Sequence, residues 1–316
     1  MRYVFILNLL NGLTKIMVRI YTVSDKRPDF IELQYEGFQN YLQDKEFEYI
    51  VCNNGSTEDL RLEIEKICQK LSIKTLFVEG DYLNGAIATQ VPLIYCIKNY
   101  ILNDDKDDIT VILDSDIFLF ASLSFEKLLE GKDLAGIYQQ REVLYNRFFK
   151  RNHFYIWNAI MILRNSKINF SEFDISMIQN ITDVGGRTHF YVKKYNPPIK
   201  WISHTADIEE AESKIFDVDL VKSYVPKFGM QIIAESLIHY YRGSNWDEDP
   251  SEYHKNKTMF LNNFLSLAKT KYPLDKEILK ALSSETSHSQ KHFNGQRNNL
   301  KKDFKMMTKR LKVKWT

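Results

Sequence analysis

The chain is short of what small secreted, fibrous and membrane-spanning proteins depend on. Its three cysteines, Cys52, Cys68 and Cys96, are odd in number and widely spaced, which fits neither a disulfide framework nor a Cys-x-x-Cys zinc site and points to a reducing compartment. With 12 Gly and 7 Pro in 316 residues, collagen-like and low-complexity classes drop out. No apolar run approaches the ~20 residues that a spanning helix needs. The longest early run, residues 3–10, is interrupted by Asn8 and cannot extend through Lys15 and Arg19. Arg2 before the run leaves a signal peptide as an alternative, but no small-residue cleavage site follows, so residues 1–16 read as an appendage, Met17 as the opening of the folded domain, and the expected location is cytoplasmic.

Several catalytic signatures are missing too. There is no Gly-x-x-x-x-Gly-Lys-Ser/Thr, Gly-x-Gly-x-x-Gly, His-Glu-x-x-His or Gly-x-Ser-x-Gly. Phosphate-loop NTPases, dinucleotide oxidoreductases, zincins and α/β-hydrolases therefore have no foothold. The net charge is only +2, and residues 290–316 alone contribute +8, leaving the rest of the chain at −6. Positive charge confined to a tail is not the footprint of a nucleic-acid-binding face.

What the chain does have is an alternation of short apolar runs with helical periods. Residues 17–23, 47–52, 73–78 and 109–113 read as strands. Between them lie helical patterns: one around Phe30, Leu33, Phe38 and Leu42, one carrying Leu60, Ile64, Ile67 and Leu71, and one over 86–102. Ser56, with Asp59 three residues on, is the expected N-cap of the second. This order predicts an α/β fold with a mostly parallel sheet and helices on both faces. Further on, 155–163 and 231–241 read as strands, 252–267 as a helix and 166–200 as loop. The domain reading is 17–250 as one unit and 251–316 as a C-terminal helical region with a basic tail.

Asp-x-Asp occurs four times, at 105–107, 114–116, 217–219 and 247–249. Only Asp114–Ser115–Asp116 is flanked by apolar runs on both sides, placing two carboxylates at the end of a buried strand. If they point to the same side, ~6 Å apart at an effective dielectric of ~20, they repel by roughly 3 kcal/mol. A divalent cation would relieve that; so would capping of a following turn or pairing with a Lys or Arg. The segment Asn53–Asn54–Gly55–Ser56–Thr57 offers amide side chains and an open backbone for a nucleobase or ribose, and equally suits an ordinary strand-to-helix turn. Asp183, beside Gly185 and Gly186, is either an acceptor-activating carboxylate with Arg187 nearby for an anion, or part of a plain turn.

On VILDSD (111–116) and NNGST (53–57) the chain resembles the GT-A glycosyltransferases. WNAIMILRN (157–165) and LIHYYRGSNW (237–246) are similar to elements of the glycogenin/galactosyltransferase-type branch. The resemblance implies a GT-A fold with a C-terminal helical extension and a nucleoside-diphosphate sugar as donor. It implies Mn2+ or Mg2+ on Asp114, Asp116 and His239, with Thr22, Val23 and Asn53 around the base and Asp114 toward the ribose or metal. Gly243 and Trp246 would border the diphosphate. Taken alone, His239 reads as a satisfied strand residue rather than as a ligand. The chain departs from that branch at Asn245, which replaces its Lys-Pro pair and leaves Arg242 as the nearest cation.

The expected activity is metal-dependent transfer of a sugar to a hydroxyl of a glycan or lipid-linked glycan, with Asp183 as base if configuration inverts. The alternatives are a nucleotidyltransferase on a similar sheet and an inactive carbohydrate-binding or scaffold protein. In the tail, Leu300, Phe304, Met307, Leu311 and Trp315 recur at helical spacing among basic residues. The stretch 298–316 suits either peripheral contact with an anionic membrane or docking on the acidic body.

Overall fold

A computed structural model describes residues 16–78, 87–104, 106–146, 149–178, 181–204, 230–240 and 251–271. The N-terminal half follows the expected alternation: β1 (Val18–Ser24), α1 (Asp29–Tyr41), β2 (Phe47–Asn53), α2 (Glu58–Lys70), β3 (Lys74–Phe77), α3 (Ile87–Asn99) and β4 (Ile109–Leu113). The N-cap of α2 is Thr57 and not Ser56: Thr57 has extended backbone and its Oγ1 accepts from Leu60 N at 3.3 Å. Glu58 and Asp59 then favour the positive end of the helix dipole.

After β4 come β5 (Ile117–Leu119), α4 (Phe125–Leu129), β6 (Leu134–Asn146), β7 (Phe149–Arg164), α5 (Thr188–Tyr195), β8 (Ile199–Trp201), β9 (Gln231–Ile233), β10 (Leu237–His239) and α6 (Ser251–Lys271). Two sequence expectations change here. The region 166–200 contains α5 and β8, and 231–241 is two strands folded back on each other. The chain reverses between them at Ala234 and Glu235, both at positive φ without a glycine to announce it.

The main sheet has the order β3-β2-β1-β4-β7-β6-β8. Its first four strands are mutually parallel, so their carboxyl ends share one edge. β7 runs antiparallel to both β4 and β6. Inner strands of such a sheet are covered on both faces, and β4 is accordingly buried at all five positions. Alternate residues feed two cores. One joins Ile20, Val51 and Val111 to Ile31, Phe38, Ile64 and Phe125; the other joins Tyr21, Ile50 and Ile112 to Leu93, Cys96 and Tyr191. Helices α1, α2 and α4 thus cover one face, α3 and α5 the other. All three cysteines are buried free thiols.

A second, antiparallel sheet of order β5-β10-β9 lies beyond β4. Its outer layer joins Phe118, Phe120, Ile238 and Tyr240 to Phe260, Leu261 and Phe264 of α6. Among the described residues no helix is long and apolar enough to cross a membrane. Most of the expected N-terminal appendage, the Arg242–Trp246 segment with Gly243, and the basic tail lie outside the described residues.

Candidate metal centre

β4 ends at Leu113 and the chain turns at once into β5, with Ile117 N donating to Asp114 O at 3.3 Å. Asp114 and Asp116 therefore stand on a turn and not on a continuing strand, which corrects the geometry expected from the apolar flanks. The turn is pinned from below by Gln34 of α1, fully buried, whose Nε2 donates to Asp114 O (2.8 Å) and Ile117 O (2.9 Å). Tyr49 Oη in turn donates to Gln34 Oε1 at 2.5 Å. A glycine at 37 lets α1 approach this closely, because a Cβ there would meet Leu119 O at 2.7 Å.

His239 arrives from a segment more than a hundred residues away. β10 pairs antiparallel with β5 in a register that sets His239 opposite Ile117, and Tyr240 N donates to Asp116 O at 2.7 Å. The His239 Nε2 consequently stands 3.3 Å from Asp116 Oδ1. One ligand atom from each of Asp114, Asp116 and His239 lies within 4.8 Å of the others. The imidazole is 3% exposed and meets the Trp157 ring edge-on, with centroids 5.2 Å apart.

The electrostatics of this group are strained. Burial pushes the Asp114 carboxyl from 3.8 up to about 7, and the Asp116 carboxylate adds to the shift. His239 and a 2.6 Å hydrogen bond from Asn158 Nδ2 to Asp114 Oδ1 oppose it, and the Asp183 carboxylate is near enough to raise it further. Two carboxylates that resist ionising together, plus one imidazole nitrogen, form a donor set that fits a divalent cation such as Mn2+ or Mg2+.

Asp183 sits in the turn before α5. Tyr155 Oη is 3.5 Å from its Oδ2 and accepts from its backbone N at 3.3 Å, and an Arg141 guanidinium nitrogen is 3.6 Å from the same oxygen. The turn needs Gly185, at φ +100°, where a Cβ would run into the Ile156 carbonyl oxygen. Arg187, expected to be available for an anion, is paired with Asp174 at 2.5 Å.

At the strand ends Thr22 Oγ1 donates to Leu113 O at 2.7 Å, tying β1 to β4, and Val23 is buried in the core beside it. The Asn53 amide is spent on its own turn and on α2, accepting from Gly55 N and donating to Arg61 O. Gln34, Arg141, Tyr155 and Gln231 are further residues of the site that were not expected from the sequence, and Asn158 was expected only as part of the segment 157–165. The signal for Asn158 was a lone amide in an otherwise apolar run; β7 pairs with β4, so that amide falls beside Asp114. The others leave no local sign.

No protein-family model matches the chain, and no curated protein matches it. Among solved structures the chain is similar to the bifunctional glycosyltransferase WbbM, with 10% identity and a TM-score of 0.38 over 61% of this chain and 40% of that one. It is similar to the galactosyltransferase LgtC in complex with donor and acceptor sugar analogues, with 10% identity and a TM-score of 0.43 over 82% of this chain and 98% of that one. It is also similar to S. aureus TarS in complex with UDP-GlcNAc, with 13% identity and a TM-score of 0.38 over 59% and 56% of the two chains. These likenesses are distant, and a functional reading has to rest on the site's own residues.

Proposed function

We propose that the chain is a glycosyltransferase that moves a sugar from a nucleoside-diphosphate donor to a hydroxyl of a carbohydrate acceptor, at the place where Asp114, Asp116 and His239 meet. The observation that carries this reading is the convergence of those three side chains, drawn from two distant segments, at the carboxyl edge of a parallel sheet, where ligands of open α/β sheets gather. The three residues would hold Mn2+ or Mg2+, and such an ion supplies the positive charge that neutralises a departing diphosphate.

The chain's own residues divide the remaining work. The backbone at the ends of β1 and β2 would border the place for the base, with the Val23 side chain packed in the core beneath it. Asn158 fixes the Asp114 carboxylate in one orientation through its 2.6 Å bond. In transfer, the bond from the anomeric carbon to the diphosphate oxygen breaks and a bond from that carbon to the acceptor oxygen forms. The acceptor's proton goes to the Asp183 carboxylate, which Tyr155 and Arg141 hold in place, if the configuration is inverted.

Incubation with UDP- and GDP-sugars plus Mn2+, with and without EDTA, tests the reading. Release or transfer of sugar together with a nucleoside diphosphate, and only with metal, is expected. Nucleoside monophosphate as the product would point instead to nucleotidyl transfer, and turnover undiminished in EDTA would remove the metal.

A further inference from the structure

His239 faces the carboxylates with one ring nitrogen and the neighbouring strand with the other. In the β9–β10 pair Gln231 lies directly across from His239, so the two side chains leave the same face of the small sheet. Gln231 Oε1 is 3.1 Å from His239 Nδ1, while Nε2 is 3.3 Å from Asp116 Oδ1. A carbonyl oxygen can only accept, so this arrangement keeps a proton on Nδ1 whatever species Nε2 meets. Nε2 is then the nitrogen whose lone pair can be offered to a cation. The opposite orientation of the amide would present its NH2 to Nδ1, fix the proton on Nε2, and make His239 a hydrogen-bond donor to Asp116 that closes the position to an ion. Packing of the ring against Trp157 leaves His239 little room to exchange its two nitrogens.

We infer that Gln231 is a positioning residue: its side-chain carbonyl holds His239 as the Nδ1–H tautomer and so directs Nε2 to a divalent cation shared with Asp114 and Asp116. This rests on those three residues forming an ion site. Gln231 touches neither the ion nor the donor; its effect passes through the imidazole.

The test is Mn2+ affinity by electron paramagnetic resonance on the full chain, together with the 14N coupling that a directly bound imidazole imposes on the Mn2+ signal. Wild type should bind Mn2+ and show the coupling, and His239→Ala should lose it. Gln231→Leu, which removes the acceptor, should weaken Mn2+ by about 10- to 100-fold and lose the coupling. Gln231→Glu, an acceptor at both oxygens, should restore affinity and coupling. If Gln231→Leu keeps both wild-type properties, or Gln231→Glu behaves like Gln231→Leu, the positioning role is overturned while the ion site stands. If wild type binds no Mn2+, the ion site itself falls and the positioning role with it.

Discussion

Asp114 keeps its proton to about pH 7, whereas in the unfolded chain it would lose it near 3.8. Between those values the folded state binds the extra proton, so the contribution of this carboxyl to the stability of the ion-free protein falls as pH rises from about 4 to about 7. Buried His153 and His189, held below the usual imidazole range, act the other way. Because a cation competes with the Asp114 proton, Mn2+ affinity should rise over the same range and level off above about 7. Mn2+ titrations, and thermal melts of wild type beside Asp114→Asn, from pH 5 to 8 check this; an ion-free stability difference between the two that does not move with pH across that window would contradict the burial of this carboxyl. Asp116→Asn should weaken Mn2+ by more than about 100-fold, beyond what outer-shell changes usually cost, with the melting temperature nearly unchanged. A variant that binds Mn2+ like wild type would exclude Asp116 as a ligand. The Asp pair was legible in the sequence because carboxylates closing an apolar strand are costly without a partner. Gln34 and Gln231 were not, since each acquires its role from helix packing or strand register that no local pattern encodes; Asn158 was marked only as a lone amide in an apolar run, and the β7–β4 register supplies its partner.

The turn that carries Asp114 and Asp116 depends on α1. Gln34→Leu removes the donor to two carbonyls and the acceptor of the Tyr49 hydroxyl in a buried place, which should cost about 1–3 kcal/mol and weaken Mn2+ by loosening the turn. Urea melts and Mn2+ titration would expose the error if both stayed at wild-type values. Gly185→Ala should impair the Asp183 turn, because its backbone lies at φ +100° and the added methyl meets the Ile156 carbonyl. Activity lost with Mn2+ binding intact is the expected result; wild-type activity would remove that turn from the mechanism. The strands from β1 to β4 stood within a residue or two of where apolar runs put them, since period and length agree in short buried strands. The hairpin of β9 and β10 was hidden because Ala234 and Glu235 make its turn without glycine, asparagine or proline. Helix α5 was hidden because its eight residues lie between a glycine pair and a proline pair that read as loop.

Across the whole molecule, the Asp114–Asp116–His239 cluster is assembled from the turn after β4, the amide of β7 and the last residue of β10. Small-sheet geometry is in turn backed by α6. A chain ending at residue 250 would uncover Phe118, Phe120, Ile238 and Tyr240, which now pack on Phe260, Leu261 and Phe264. Each large apolar side chain so exposed forfeits roughly 1.5–3 kcal/mol, so that truncation should melt far below the full chain and bind Mn2+ poorly through misplacement of His239. An unchanged melting temperature would mean that α6 is dispensable. The order of the sheet, which sets β7 beside β4 and β10 beside β5, could not be read from the chain because it is fixed by long-range pairing.

If one cation, held by Asp114, Asp116 and His239, joins the protein to a nucleoside diphosphate, the nucleotide should bind only when that cation is present. Calorimetric titration of UDP and GDP into the full chain, with Mn2+ and with EDTA, tests it most directly. Binding of at least one of the two that requires Mn2+, and that disappears in both Asp116→Asn and His239→Ala while each variant remains folded, is the predicted result. Binding that is equally tight in EDTA and in both variants, or no binding of either nucleotide with Mn2+ present, would contradict it.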